Sequence, residues 1–199
     1  MEYQGIDYLR RKLAQKQSRV NLRYNYYEMK NAVRDFNIVI PREWNFLKAV
    51  LEWSTKAVDA MADRLIFREF AEDNFQLNNI FDLNSRDVYF DSAIVSACIA
   101  SCCFTYISAD AAGFPRLQVI DGYDATGIID PITMMLQEGY AVLERDTQTK
   151  APSLEAWFTA EETTFYDLKN GLSYALPNPA PYPLLVPIIY RPDARRPFG

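Results

Sequence analysis

The chain has 199 residues, of which 49% are apolar, 14% aromatic and 24% charged, the makeup of one folded domain rather than a disordered chain or a disulfide scaffold. It contains no histidine, which excludes Ser-His-Asp and Cys-His hydrolases, zincins and any histidine-ligated metal site. The net charge of −5 is unevenly placed: residues 1–56 hold 11 basic and 6 acidic side chains (+5), and residues 57–199 hold 10 and 20 (−10). A basic arm ahead of an acidic body suits contact with phosphates, anionic lipid or an acidic neighbouring subunit, and argues against nucleic acid wrapping the whole surface.

Ile6, Leu9, Leu13 and Val20 recur at helical spacing, and the other faces of that segment carry Arg10, Arg11, Lys12, Lys16 and Arg19, so residues 1–30 are predicted to form a basic amphipathic arm. Arg10, Arg11, Lys12, Lys16, Arg19 and Arg23 are the candidate partner or nucleic-acid contacts, and replacing the first five with Ser is expected to leave the fold intact. Arg23 to Tyr27 reads as a tyrosine-rich joint. Its Tyr24, Tyr26 and Tyr27 have the ingredients of a stacking surface, or of aromatics packed at a helix-to-helix joint.

A second helix is predicted to begin near Pro41 and to bury Trp44, Leu47, Leu51, Val58, Met61 and Leu65. Asn84 with Asp87 resembles a capping pair before a third helix, whose Phe90, Ile94, Cys98 and Cys102 would share one face. Between Ile6 and Ala112 there is no glycine and one proline; six of seven glycines and the other prolines lie from Gly113 onward. Helices followed by strands and turns indicate an α+β fold, N-terminal helices packed on a C-terminal mostly antiparallel sheet. The expected division is an arm over 1–30 and a single domain over 31–199, helical over 31–103 and strand-rich over 104–199.

Candidate strands are 104–108, 116–120, 127–129, 140–145, 154–159, 164–168 and 184–191, with turns at Ala112-Gly113, Asp121-Gly122, Glu138-Gly139 and Asn170-Gly171. The tract Pro177 to Pro183 reads as an extended connector without a ladder of its own.

Cys98, Cys102 and Cys103 form an odd, clustered set, which is no disulfide framework; without histidine they are expected to be reduced, buried and metal-free. Asp121, Asp124 and Asp130 sit on turns, where Asp caps amides, or would converge as an acid/base or cation site. Neither a catalytic residue nor a cofactor is assigned. No signal peptide is read at the N-terminus. The longest apolar run, 93–107, is shorter than the roughly 20 residues of a membrane-spanning helix, so a soluble protein in a reducing cytoplasm is expected.

The segments RYNYYE (23–28), VDAMADRLIFREF (58–70), IFDLN (80–84), DSAIVSACIASCCFTYIS (91–108), FPRLQVIDG (114–122), IIDP (128–131) and VPIIYRPDARRPFG (186–199), in this order, resemble the portal proteins of tailed bacteriophages, the siphophage-type head-to-tail connectors. The resemblance implies a structural, non-enzymatic subunit of a ring at a capsid vertex, located in the virion or the host bacterial cytoplasm. Its partners would be neighbouring portal subunits, terminase and head-completion proteins. The region corresponds to the family's outer, wing-like α+β part. Family members continue past RRPFG into stem, clip and crown segments, so tunnel-lining residues are not carried over and direct DNA contact by this region is not expected. Two other classes stay open: a small enzyme using the Asp121, Asp124, Asp130 edge, and a binding module that exposes the basic face of the first helix.

Overall fold

The computed structural model describes residues 3–30 and 53–192. Four helices come first, α1 (Ile6–Tyr27), α2 (Trp53–Ala62), α3 (Leu77–Leu83) and α4 (Arg86–Ala100). Eight strands follow: β1 (Cys102–Ala109), β2 (Pro115–Asp121), β3 (Ala125–Ile129), β4 (Leu136–Arg145), β5 (Pro152–Phe158), β6 (Glu162–Asp167), β7 (Leu172–Pro177) and β8 (Leu185–Ile189). This is the α+β order expected from the distribution of glycine and proline. The strands form two antiparallel sheets rather than one meander, a three-stranded β2-β1-β8 and a five-stranded β3-β4-β5-β6-β7.

The two sheets face each other across the main core, where Cys102, Phe104, Ile120 and Leu185 meet Ala125, Ile129, Leu136, Ala141, Ala156, Phe158 and Phe165. The other face of the small sheet takes α4, through Ala93, Ala97 and Cys103. The other face of the large sheet takes the first half of α1, where Leu9 and Leu13 pack on Tyr140 and Val142. Strands buried on both sides lose the alternation of a half-exposed strand, so β4 reads as a nearly continuous buried run.

Several expectations are corrected. Glu138 and Gly139 are not a turn: they lie inside β4, extending it upstream from Tyr140, and Glu138 is 1% exposed. Gly139 is there for space, since a Cβ would stand 2.6 Å from Leu136 Cδ2 and 2.9 Å from Leu185 Cδ2 of the facing sheet. The tyrosine-rich stretch is no joint, because α1 runs through it to Tyr27. Helix α4 stops at Ser101 in the left-handed region (φ 73), so Cys102 belongs to β1, and the buried face of α4 is Tyr89, Ala93, Ser96, Ala97, Ile99 and Ala100.

Asn84 does not cap α4; Ser85 occupies that position without a side-chain cap. The stripe 44–65 is described only from Trp53 onward; there Met61 and Leu65 are exposed, and Ala62 is the buried residue of α2. Trp44, Leu47 and Leu51 lie outside the described residues. Strand β7 differs from the expectation: it takes in the first residue of the proline tract, Pro177, which pairs with Glu162, so the tract is without a ladder only beyond that residue.

Candidate functional site

Helix α1 begins with Gly5 at φ 85 and no side-chain cap of its own. The missing acceptor comes from the sheet: Glu138 takes N–H bonds from Gln4 (2.9 Å), Gly5 (2.8 Å) and the Trp157 indole (2.9 Å). A buried carboxylate is tolerated when its lone pairs are filled this way and it meets the positive end of a helix. Arg10 reaches the second buried carboxylate on this face, Glu155, with Nε at 3.0 Å and Nη2 at 2.6 Å. Burial, then the hydrogen bond to Glu155, pushes the Tyr140 hydroxyl well above its ordinary range.

Farther along α1, Lys12 Nζ donates to Gly127 O (2.7 Å), Lys16 Nζ to Ala125 O (2.5 Å) and Gln17 Nε2 to Tyr123 O (3.1 Å). These are alternate carbonyls of edge strand β3 and the turn before it, the ones that point away from β4 in the ladder Ala125↔Ala141, Gly127↔Gly139. Helical spacing of donors thus meets strand spacing of acceptors, and α1 covers the free edge of the sheet. Burial lowers the pKa of both Lys12 and Lys16.

At the C-terminal end of α1, Arg23 bonds Ala100 O at 3.0 Å and the Ser101 hydroxyl. Tyr24 and Ser96 both donate to Asp121 Oδ2 at 2.5 Å, and Tyr27 donates to Asp59 at 2.9 Å. Burial first, and the hydrogen bond to Asp121 second, raise the Tyr24 pKa.

The six basic candidates therefore divide. Arg10, Lys12, Lys16 and Arg23 face the body and bond to it, so this part of the helix does not present the open basic face that the binding-module alternative requires. Arg11 and Arg19 are exposed, Arg11 turning back to Asp7 O at 3.2 Å. Of the tyrosines, Tyr26 is exposed, whereas Tyr24 and Tyr27 bind carboxylates.

Asp121, Asp124 and Asp130 are each committed elsewhere: Asp121 as above, Asp124 to Arg145 (2.5 and 2.9 Å), and Asp130 to the Ile132 amide (2.9 Å). No group of three Cys, Asp or Glu residues able to hold a metal ion occurs among the described residues. The three thiols are free, with Cys102 and Cys103 buried and Cys98 half-buried. A shallow depression of about 210 Å³ lies over α1, lined by Tyr8, Arg11, Lys12 and Gln15. No helix among the described residues is long and apolar enough to cross a membrane.

Besides single exposed apolar side chains such as Trp53 and Ile132, two segments of the described residues carry several. After α2, Leu65, Ile66, Phe75 and Val88 are 59–82% exposed, beside a ring stack in which Phe67 lies 4.0 Å from Phe90 and Phe81 5.2 Å from Phe90. On the far edge of the large sheet, all of β7 is exposed. No family model matches the chain, and no curated protein matches its sequence.

Sequence reasoning missed Glu138 and Glu155. A carboxylate flanked by apolar residues in a strand, as in SLEAWF, is the signal that could have marked Glu155 as a buried partner for the basic helix, whereas Glu138, between Gln137 and Gly139, carries no such signal.

Proposed function

We propose that the chain is a structural, non-catalytic subunit of a ring-forming connector of the tailed-phage portal type, with this region as its outer α+β body. The identity of the family rests on the order of sequence segments. The observation that supports a subunit is the set of exposed apolar side chains Ile66, Phe75 and Val88 on the segments that also carry the Phe67, Phe81 and Phe90 stack. Monomeric proteins rarely leave contiguous apolar patches of more than a few hundred Å² in water, and such patches mark sites where another protein sits. The enzyme reading loses support because Asp121, Asp124 and Asp130 serve three separate local structures. The binding-module reading loses support because four of the six basic side chains are docked on the body.

Native mass spectrometry and negative-stain microscopy at rising concentration test the proposal, together with capture by a siphophage terminase. Curved or ring-shaped particles that change on Ile66→Asp or Phe75→Asp, or terminase capture with the same sensitivity, would support it. A chain that neither forms such particles nor binds terminase would overturn it.

A further inference from the structure

An antiparallel sheet ends in edge strands whose free N–H and C=O groups are open to any strand that reaches them. The two sheets have four edges, and among the described residues three of them carry a cover, a bridge or a block. Helix α1 covers β3 through Lys12, Lys16 and Gln17. On β2, the Asn84 carboxamide donates to Pro115 O (3.0 Å) and accepts from Leu117 N (3.0 Å), as a neighbouring strand would. On β8, the register places Pro187 at an outward position, where it offers no N–H.

The fourth edge is β7. Its ladder with β6 turns the backbone groups of Ser173 and Ala175 outward, and every residue from Leu172 to Pro177 is exposed. Tyr174 stacks on Phe165 at 5.1 Å, so Leu172, Tyr174 and Leu176, 51–63% exposed, prolong the core face of the sheet into solvent.

We infer that β7 pairs with β7 of a second copy of this chain, antiparallel about a two-fold axis, joining two five-stranded sheets into one continuous sheet. The occupant follows from three observations. In a second copy β3 is covered, β2 is bridged and the outward row of β8 is broken at its middle by Pro187, whereas the proline of β7, Pro177, comes last in its outward row and leaves Ser173 and Ala175 as consecutive outward residues with both N–H and C=O. No charged residue occurs from Asn170 to Ala180, so the strand meets its own copy without like-charge repulsion.

Antiparallel pairing also sets the Lys169 turn of each copy beside the Glu161–Glu162 end of the other. Lys169 and both glutamates are exposed, and the facing Asp167 carboxylate is folded into its own turn, accepting from the Lys169 and Asn170 amides at 3.0 Å and from Asn170 Nδ2 at 2.6 Å. Attraction between the ends acts across about 10 Å in moderate salt. The contact is isologous and closes with two copies; it does not depend on the ring reading and leaves the Ile66–Phe75 surface free.

Sedimentation of the full chain over a range of concentration tests it. A reversible two-copy species is expected. Ala175→Pro, which removes an outward N–H and leaves the bonds to β6, should raise its dissociation midpoint about tenfold or more. An unchanged thermal midpoint would show that this variant folds. Lys169→Glu should weaken the pair, and adding Glu161→Lys with Glu162→Lys should restore it. A chain that stays monomeric, or an oligomer indifferent to Ala175→Pro and Lys169→Glu, would overturn the inference. Larger particles that respond only to Ile66→Asp would do so while leaving the ring reading in place. A responsive two-copy species without larger particles or terminase capture would uphold the inference and remove that reading.

Discussion

Arg10 and Glu155, 145 positions apart in sequence, are joined by two hydrogen bonds from one guanidinium to one carboxylate oxygen. The Glu155 side chain is 6% exposed and that of Arg10 36%. Removing one partner of a buried pair leaves the other charge uncompensated, at a cost of roughly 3–5 kcal/mol, reduced here because Arg10 is one-third in water. Arg10→Ala should destabilise the fold by about 2 kcal/mol in urea titration, and Arg10→Ala with Glu155→Gln should lose less than Arg10→Ala alone.

Glu138 is the acceptor for three N–H groups at the start of α1. Glu138→Leu keeps an apolar body there and leaves those donors without partners, an expected loss of about 3 kcal/mol. Hydrogen exchange should report it first in the amides of Ile6 to Leu13. Equal protection there in both proteins would show that Glu138 does not hold the start of α1.

With Arg10, Lys12, Lys16 and Arg23 docked, only Arg11 and Arg19 of the six basic candidates stand free for phosphates. Binding of a DNA duplex should be weak, and these two residues should account for no more than about 2 of the slope of its dependence on log salt. Arg11→Ser with Arg19→Ser should lower it and leave the thermal midpoint unchanged. Lys12→Ser with Lys16→Ser should instead lower the midpoint.

Burial raises the pKa of Cys102 and lifts that of Cys103 to about 12 from an ordinary 9.0; burial also raises Tyr24 and Tyr140 from 10.0. A group that loses its proton less readily when folded contributes fully below its unfolded pKa and loses that contribution as pH rises toward the folded value. Stability should therefore start to fall above about pH 9. Lys12 and Lys16, lowered from 10.5, act in the opposite sense up to that pH and soften the onset. Urea midpoints across the alkaline range check the sign, and Cys103→Ala should make the decline shallower. At neutral pH, alkylation of Cys103 should be slow.

The apolar half of α1 was legible, because Leu9, Leu13 and Val20 reach the core by helical periodicity. The destination of its charged half was not. Lys12, Lys16 and Gln17 bind backbone carbonyls of the β3 edge, and a carbonyl carries no side-chain signature for a sequence to display. Glu138-Gly139 has turn composition, yet Gly139 makes room for Leu185 from a strand 46 positions later. Asn84 satisfies β2 and the C-terminal end of α3, where it donates to Ile80 O at 2.8 Å, rather than the start of α4, although all these uses need the same short carboxamide. The seven other strands were legible because β-branched and aromatic runs alternate with turns, whereas the alternating row Leu172, Tyr174, Leu176 of β7 runs straight into Pro177 and the proline tract.

The cover that α1 places over β3 also bears on how the chain is made. Its first helix leaves the ribosome before Tyr123, Ala125, Gly127, Glu138 and Glu155 exist. At 5–20 residues per second, the interval is on the order of ten seconds. During that time Leu9 and Leu13 have no partner, and a basic amphipathic helix waits beside polyanionic RNA. When β3 to β5 appear, their edge is open until the helix returns to it. Docking of α1 thus waits for β3 to β5, and their edge is open to edge-to-edge association until then.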